Sequence, residues 1–143
     1  MNLPKKCEKI VFDYYNRNKQ TVCTRFIDSA DINRESYKRG AHFTATGIAQ
    51  PSDLLVTDYG NTFYAEVKCT ENERGITQSL IKRQAGSRRR ILAALGTYVY
   101  YVYSIIRRQW YEIPGDFFEE RTEGTIYWQE LEQYEISYLG RPE

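Results

Sequence analysis

Hydrophobic and polar positions recur along the chain with two different periods. In PKKCEKIVFDYYNR, residues 4–17, Cys7, Ile10, Val11 and Tyr14 fall at i, i+3, i+4 and i+7. That spacing predicts a helix, and Pro4 suits its first turn. TVCTRFI (21–27) reads as a strand. Residues 28–50 are polar and interrupted by Gly40 and Gly47, which predicts a long loop or arm of the kind that often carries function. PSDLLVTDYGNTFYAEVKC (51–69) reads as a hairpin, followed by a helix from about Thr77, a candidate cap, to Leu95. Gly86 weakens that helix by about 1 kcal/mol relative to alanine, so a bend or break is expected there. TYVYYVYSII (97–106) reads as a buried strand, and QWYEI (109–113) returns beside it as an edge strand. In the segment 116–143, WQELEQYEISYL fits a helix or a strand. The order helix, strand, hairpin, helix, strand, strand predicts a small α/β domain with a mixed sheet.

The hairpin has the most to say about chemistry. Alternate residues of a strand share a face. Phe63, Ala65, Val67 and Cys69 therefore form an apolar stripe, while Tyr64, Glu66 and Lys68 point the other way. DYGN offers a two-residue loop in which Gly60 supplies positive φ. With Tyr59-Gly60 as the loop, Asp58 pairs with Asn61 and Asp53 stands opposite Glu66. With Gly60-Asn61 as the loop, Asp53 faces Lys68 instead. In both registers Leu54 and Val56 join the apolar stripe. Asp53, Glu66 and Lys68 gather on the other face, where directly opposed Cβ atoms are about 4.5–5.5 Å apart.

This cluster has a plain reading, a solvated sheet face with Lys68 pairing a carboxylate. It also has a chemical one. Two close carboxylates repel, and a hard divalent cation relieves the repulsion. Mg²⁺ takes oxygen ligands and keeps several waters, and the Val67 carbonyl, between the two side chains, offers a further oxygen. Lys68 is placed to orient water or help deprotonate it. Such a group suits hydrolysis of a phosphodiester, with cationic groups offsetting charge on phosphorus.

Composition removes several rivals. The length of 143 residues suggests one domain, and 41% hydrophobic with 27% charged residues is ordinary for a globular chain. No apolar run approaches the length of a membrane span, and MNLPKKCEKI lacks the apolar core of a signal peptide, so a cytoplasmic protein is expected. Cys7, Cys23 and Cys69 are far apart and read as reduced thiols packing like small hydrophobes. His42 is the one histidine, too few for a structural zinc site. The chemistry is left to carboxylates, lysine and hydroxyls. The net charge of +1 hides an asymmetry: residues 1–111 hold 18 Lys/Arg against 10 Asp/Glu, and residues 112–143 hold 2 against 9. Either a basic working face is kept apart from an acidic segment, or the two attract each other across the fold.

PSD followed by EVK resembles the PD-(D/E)xK nuclease superfamily, with Ser52 as a departure between Pro51 and Asp53. The resemblance covers about residues 5–113 and leaves an acidic C-terminal segment, 114–143, outside it. It implies a single restriction-endonuclease-like domain, with Asp53 and Glu66 as metal ligands and Lys68 as the catalytic lysine. The branch most similar to it, the archaeal-type Holliday junction resolvases, carries an acid on the first helix, and Glu8 matches, which implies that Glu8 assists Asp53 and Glu66 at the metal. Gln84 matches a glutamine found on the helix after the lysine strand; at i+4 from Leu80 it is expected to face the sheet. The resemblance further implies Mg²⁺, with Mn²⁺ able to substitute, branched or duplex DNA as substrate, and a homodimer whose interface YVYYVY could help bury.

KRQAGSRRR places Lys82, Arg83, Arg88, Arg89 and Arg90 just after the hairpin. Beside a phosphodiester-cleaving centre they are expected to track the DNA backbone, with Arg34, Lys38 and Arg39 reaching a second stretch. Other readings are a repair or restriction-type nuclease, a non-catalytic DNA-binding module on the same fold, and an interaction protein whose acidic tail meets a basic partner. Both acids and the lysine being present argues against the module.

Overall fold

The computed structural model of the chain describes residues 1–26 and 50–143. The predicted arm, with Arg34, Lys38, Arg39 and His42, lies outside the described residues, apart from Gln50 at its end.

The first helix, α1 (Leu3–Tyr14), starts where the Asn2 side chain accepts from the Lys5 amide at 3.0 Å. It stops short of the predicted Arg17 because Asn16 is engaged elsewhere. The Asn16 amide donates to the Phe12 and Cys23 carbonyls and accepts from the Cys23 amide, which ties the helix end to the next strand. That strand, β1 (Thr21–Arg25), pairs antiparallel with β2 (Leu54–Asp58), and β2 pairs antiparallel with β3 (Asn61–Thr70).

Asp58 pairs with Asn61 and Leu54 with Ala65, the first of the two registers. Tyr59 and Gly60 have φ of 49° and 88°, the doubly positive pattern of a two-residue turn that matches strand twist. Tyr59 is 68% exposed and gains no packing for its left-handed backbone. Tyr59→Asn is therefore expected to stabilise the fold by about 0.5–1 kcal/mol, read as a higher thermal midpoint.

After a short strand, β4 (Gly75–Ile76), the chain crosses over through α2 (Gln78–Ile81), a 3-10 turn (Lys82–Gln84) and α3 (Ala85–Ala93). The predicted single helix is thus broken, just ahead of Gly86. Thr77 occupies the cap position, but its hydroxyl bonds Ser79 rather than a helix amide. The crossover delivers β5 (Tyr98–Ser104) parallel to β3, and β6 (Gln109–Pro114) returns antiparallel to β5.

The segment after residue 113 is woven into the core. It forms α4 (Gly115–Glu120), β7 (Ile126–Tyr127), a 3-10 turn (Trp128–Tyr134) and β8 (Glu135–Ile136). Both expectations for WQELEQYEISYL hold in part, a helical turn followed by a strand. β8 pairs with Trp110 and Tyr111, so β6 is covered there rather than being a free edge. The main sheet runs β1-β2-β3-β5-β6-β8, and β4 pairs with β7 in a second, two-stranded sheet. Gly75 is required at that pairing, since a Cβ there would lie 1.9 Å from the Ile126 carbonyl oxygen. Gly75→Ala is expected to cost about 1–3 kcal/mol through this overpacking, measured by urea denaturation.

Each face of the mixed sheet has its own core. On one side Cys7 and Val11 of α1 pack with Leu54, Val56, Ala65, Tyr101 and Leu139. On the other face Ile81, Tyr98, Tyr100, Val102, Phe118 and Trp128 pack beneath the crossover and the C-terminal segment. The tyrosines of β5 are thus buried in the chain's own core on both faces, which leaves none of Tyr98, Tyr100, Tyr101 or Tyr103 for a subunit interface. Among the described residues no helix is long and apolar enough to cross a membrane.

Candidate active site

The sequence entering β2 is held before the strand begins. The Tyr98 hydroxyl donates to the Pro51 carbonyl at 2.5 Å, and the Ser52 hydroxyl to the Leu54 carbonyl at 2.7 Å. Asp53 sits one residue beyond the last paired position of the hairpin, across from Glu66. There, side chains replace the ladder. The Asp53 amide donates to Glu66 Oε1 at 2.9 Å, and the Val67 amide donates to Asp53 Oδ2 at 2.9 Å. The Asp53 carbonyl accepts from the Phe26 amide at 3.1 Å, which ties the residue to the end of β1 as well. Lys68 completes the group, its Nζ 3.1 Å from Glu66 Oε2.

Glu66 is 1% exposed, a burial the alternation pattern did not imply because its face of β3 was read as polar. Across the parallel ladder its neighbour is Tyr100, so aromatic rings rather than solvent surround it. Burial, with the Asp53 charge adding to it, pushes the Glu66 carboxyl up to about 8, while Lys68 opposes the shift. The sign for stability follows. Between about 4.5 and about 8 the folded carboxyl holds a proton that the unfolded one has released, so stability falls as pH rises through that window. Glu66→Gln is expected to remove a slope on the order of 1 kcal/mol per pH unit, measured by denaturation in chelator from pH 5 to 8.

Glu8 reaches toward Asp53 from α1. Burial and the Asp53 charge both raise its carboxyl, and Arg25 opposes them. Its Oε1 lies 3.0 Å from Arg25 Nε, so the guanidinium now occupies this carboxylate. The motif pattern of the sequence does not mark Arg25. A signal existed: with Cys23 inward, alternation along β1 puts Arg25 on the same side, toward α1.

Gln84 lies in the 3-10 turn before α3, and its Oε1 is buried with no partner among the described residues. A buried carbonyl without a donor calls for an explanation, and a bound water would supply one. Of the basic cluster, Lys82, Arg83, Arg89 and Arg90 are exposed. The structure places Arg88 apart from them. Its guanidinium is buried, paired with Glu119 at 2.6 Å and donating to the Tyr100 hydroxyl at 3.1 Å. Arg89 also reaches Glu119, at 3.3 Å. Further along, Glu143 meets Arg108 at 3.1 Å and Glu135 meets Arg107 at 4.0 Å. Part of the charge asymmetry is therefore attraction between the basic and acidic stretches.

No protein-family model matches this chain, and no curated protein matches it.

The donor set decides what the site suits. Among the described residues no three or more His, Cys, Asp or Glu side chains gather into a metal-holding group. The pair Asp53 and Glu66 offers hard oxygen alone. That fits Mg²⁺ or Mn²⁺, which bind through one or two carboxylates and keep waters or substrate oxygens, and it does not fit zinc. The Asp53 charge raises the cost of charge on Glu66, and a cation between them would offset it.

Proposed function

We propose that the chain is a magnesium-dependent DNA endonuclease with a restriction-endonuclease-like core, cleaving branched DNA in the manner of Holliday junction resolvases of the PD-(D/E)xK superfamily. The observation that carries this reading is the meeting of Asp53, Glu66 and Lys68 at one end of the hairpin, bonded to one another through their side chains and backbone. The order α1, β1, hairpin, crossover, β5 supports the fold assignment. Such an enzyme works inside the cell as a homodimer, because a four-way junction has paired strands to cut.

Asp53 and Glu66, with the Val67 carbonyl, would hold Mg²⁺. When bound, that ion makes water more acidic and offsets negative charge on the phosphate. The Lys68 ammonium, partly exposed, reaches from Glu66 toward solvent and places a water or a phosphate oxygen. Gln84 Oε1, buried without a donor, would accept a hydrogen bond from that water and orient it. Glu8 adds negative charge beside Asp53 once Arg25 lets it go. Lys82, Arg83, Arg89 and Arg90 contact the DNA backbone, which gives shape rather than base readout. Lys82→Ala and Arg83→Ala are each expected to flatten the salt dependence of DNA affinity by about 1 in the log–log slope, measured by fluorescence anisotropy.

One observation favours a second reading. Both Glu66 oxygens are already engaged, by the Asp53 amide and by Lys68, so the cluster is satisfied as it stands. A non-catalytic DNA-binding module on the same fold would look like this. The deciding experiment offers labelled four-way junction, linear duplex and single strand, with Mg²⁺ and with chelator. Junction cleavage dependent on Mg²⁺ supports the nuclease; binding to all three without cleavage supports the module; no binding at low salt sinks both.

A further inference from the structure

The two elements that carry Glu8 and Lys68 also bring two thiols together. Cys7, the residue before Glu8, is fully buried on the inner face of α1. Cys69, the residue after Lys68, lies on the α1 face of β3, packs against the same core cluster and is partly exposed. The Cys7 and Cys69 side chains thus meet between α1 and β3, each thiol within reach of the other. Cys23 is buried on β1 and is not part of this pair.

We propose that Cys7 and Cys69 form a redox modification site that closes to a disulfide when the protein meets a hydroperoxide. The two sulfurs have different access, and that sets the order of events. Cys69 is reachable from solvent, so its sulfur attacks the terminal oxygen of the hydroperoxide. The O–O bond breaks, and the departing oxygen leaves as water or alcohol with a proton. Cys69 then carries a sulfenic acid. Cys7, already in contact, attacks the Cys69 sulfur; the S–S bond forms, the S–O bond breaks, and water leaves with the Cys7 proton. The two thiols lose two electrons and the hydroperoxide gains two. An accessible cysteine with a second one poised to resolve it is the arrangement that makes such oxidation reversible, since condensation to a disulfide outruns further oxidation. In a reducing compartment the bond would be transient and would report oxidant rather than staple the fold. While it lasts it ties α1 to β3, one residue from Glu8 and one from Lys68.

The test uses the full chain treated with hydrogen peroxide, then maleimide to block remaining thiols, proteolysis and mass spectrometry without reductant. The expected result is a cross-linked peptide pair holding Cys7 and Cys69, lighter by two hydrogens and lost on adding dithiothreitol, with Cys23 still labelled by maleimide. In Cys7→Ser the cross-link disappears and dimedone captures the sulfenic acid on Cys69. The wild-type map decides the matter even where that core substitution fails to fold. Absence of the cross-link, a Cys7 that stays maleimide-reactive after Cys69 has oxidised, or pairing through Cys23 instead would each overturn the proposal. None of these outcomes depends on the protein cleaving DNA.

Discussion

On the proposed nuclease reading, Lys68→Ala is expected to slow DNA cleavage by about two to four orders of magnitude and to leave the fold in place. The first half follows from position. Lys68 Nζ lies 3.1 Å from Glu66 Oε2, and its side chain, 21% exposed, spans the distance from the buried carboxylate to solvent. The second half needs an argument, because removing one partner of a buried pair ordinarily costs about 3–5 kcal/mol. Glu66 has an escape. Burial and Asp53 already favour its neutral form, so without Lys68 it takes up a proton instead of standing as an unpaired charge. The protonated carboxyl still accepts from the Asp53 amide. Single-turnover rates on a four-way junction, with thermal melts beside them, check both halves. A rate within about tenfold of wild type would remove Lys68 from the chemistry. A lost melting transition would make it structural instead.

Glu119→Ala is expected to cost about 3–5 kcal/mol, the largest stability loss among the changes considered. The Arg88 side chain is 4% exposed and has no comparable escape, since a guanidinium does not give up its proton. Without Glu119 it keeps the Tyr100 hydroxyl at 3.1 Å and little else to balance its charge. Arg89 also loses its partner, but at 65% side-chain exposure that pairing contributes little. Replacing both members, Arg88→Met with Glu119→Gln, should recover most of the loss, because it is the orphaned charge that destabilises. Urea midpoints for the two variants measure it. A loss under about 1 kcal/mol for Glu119→Ala would mean that water reaches Arg88, and would return it to the candidate DNA-binding face.

The difference between Arg88 and its neighbours shows where sequence reading stops. In RRR nothing local separates the three residues, and a basic run on a helix is usually solvated. The distinction comes from α4, whose Glu119 was assigned to no element in advance. The hairpin is the opposite case. Its register follows from DYGN and from alternation within a short stretch, both local, and the pairing of Asp58 with Asn61 is the one that a Tyr59-Gly60 loop requires. The depth of Glu66 was hidden for a third reason. Alternation says which face a residue takes but not what covers that face, and the cover here comes from the crossover and the C-terminal segment. The same segment is not legible as elements in the sequence. Its strands are two residues each, too short to show a period, and are fixed by partners dozens of positions away.

Leu139 lies in the cluster beneath α1, and the Tyr138 ring meets the Tyr14 ring at 4.8 Å. α1 thus docks partly against a stretch made long after it during translation. Vectorial synthesis gives α1 no complete seat until that stretch emerges, so the nascent chain carries an amphipathic helix with part of its apolar stripe uncovered, a period in which chaperone capture competes with folding.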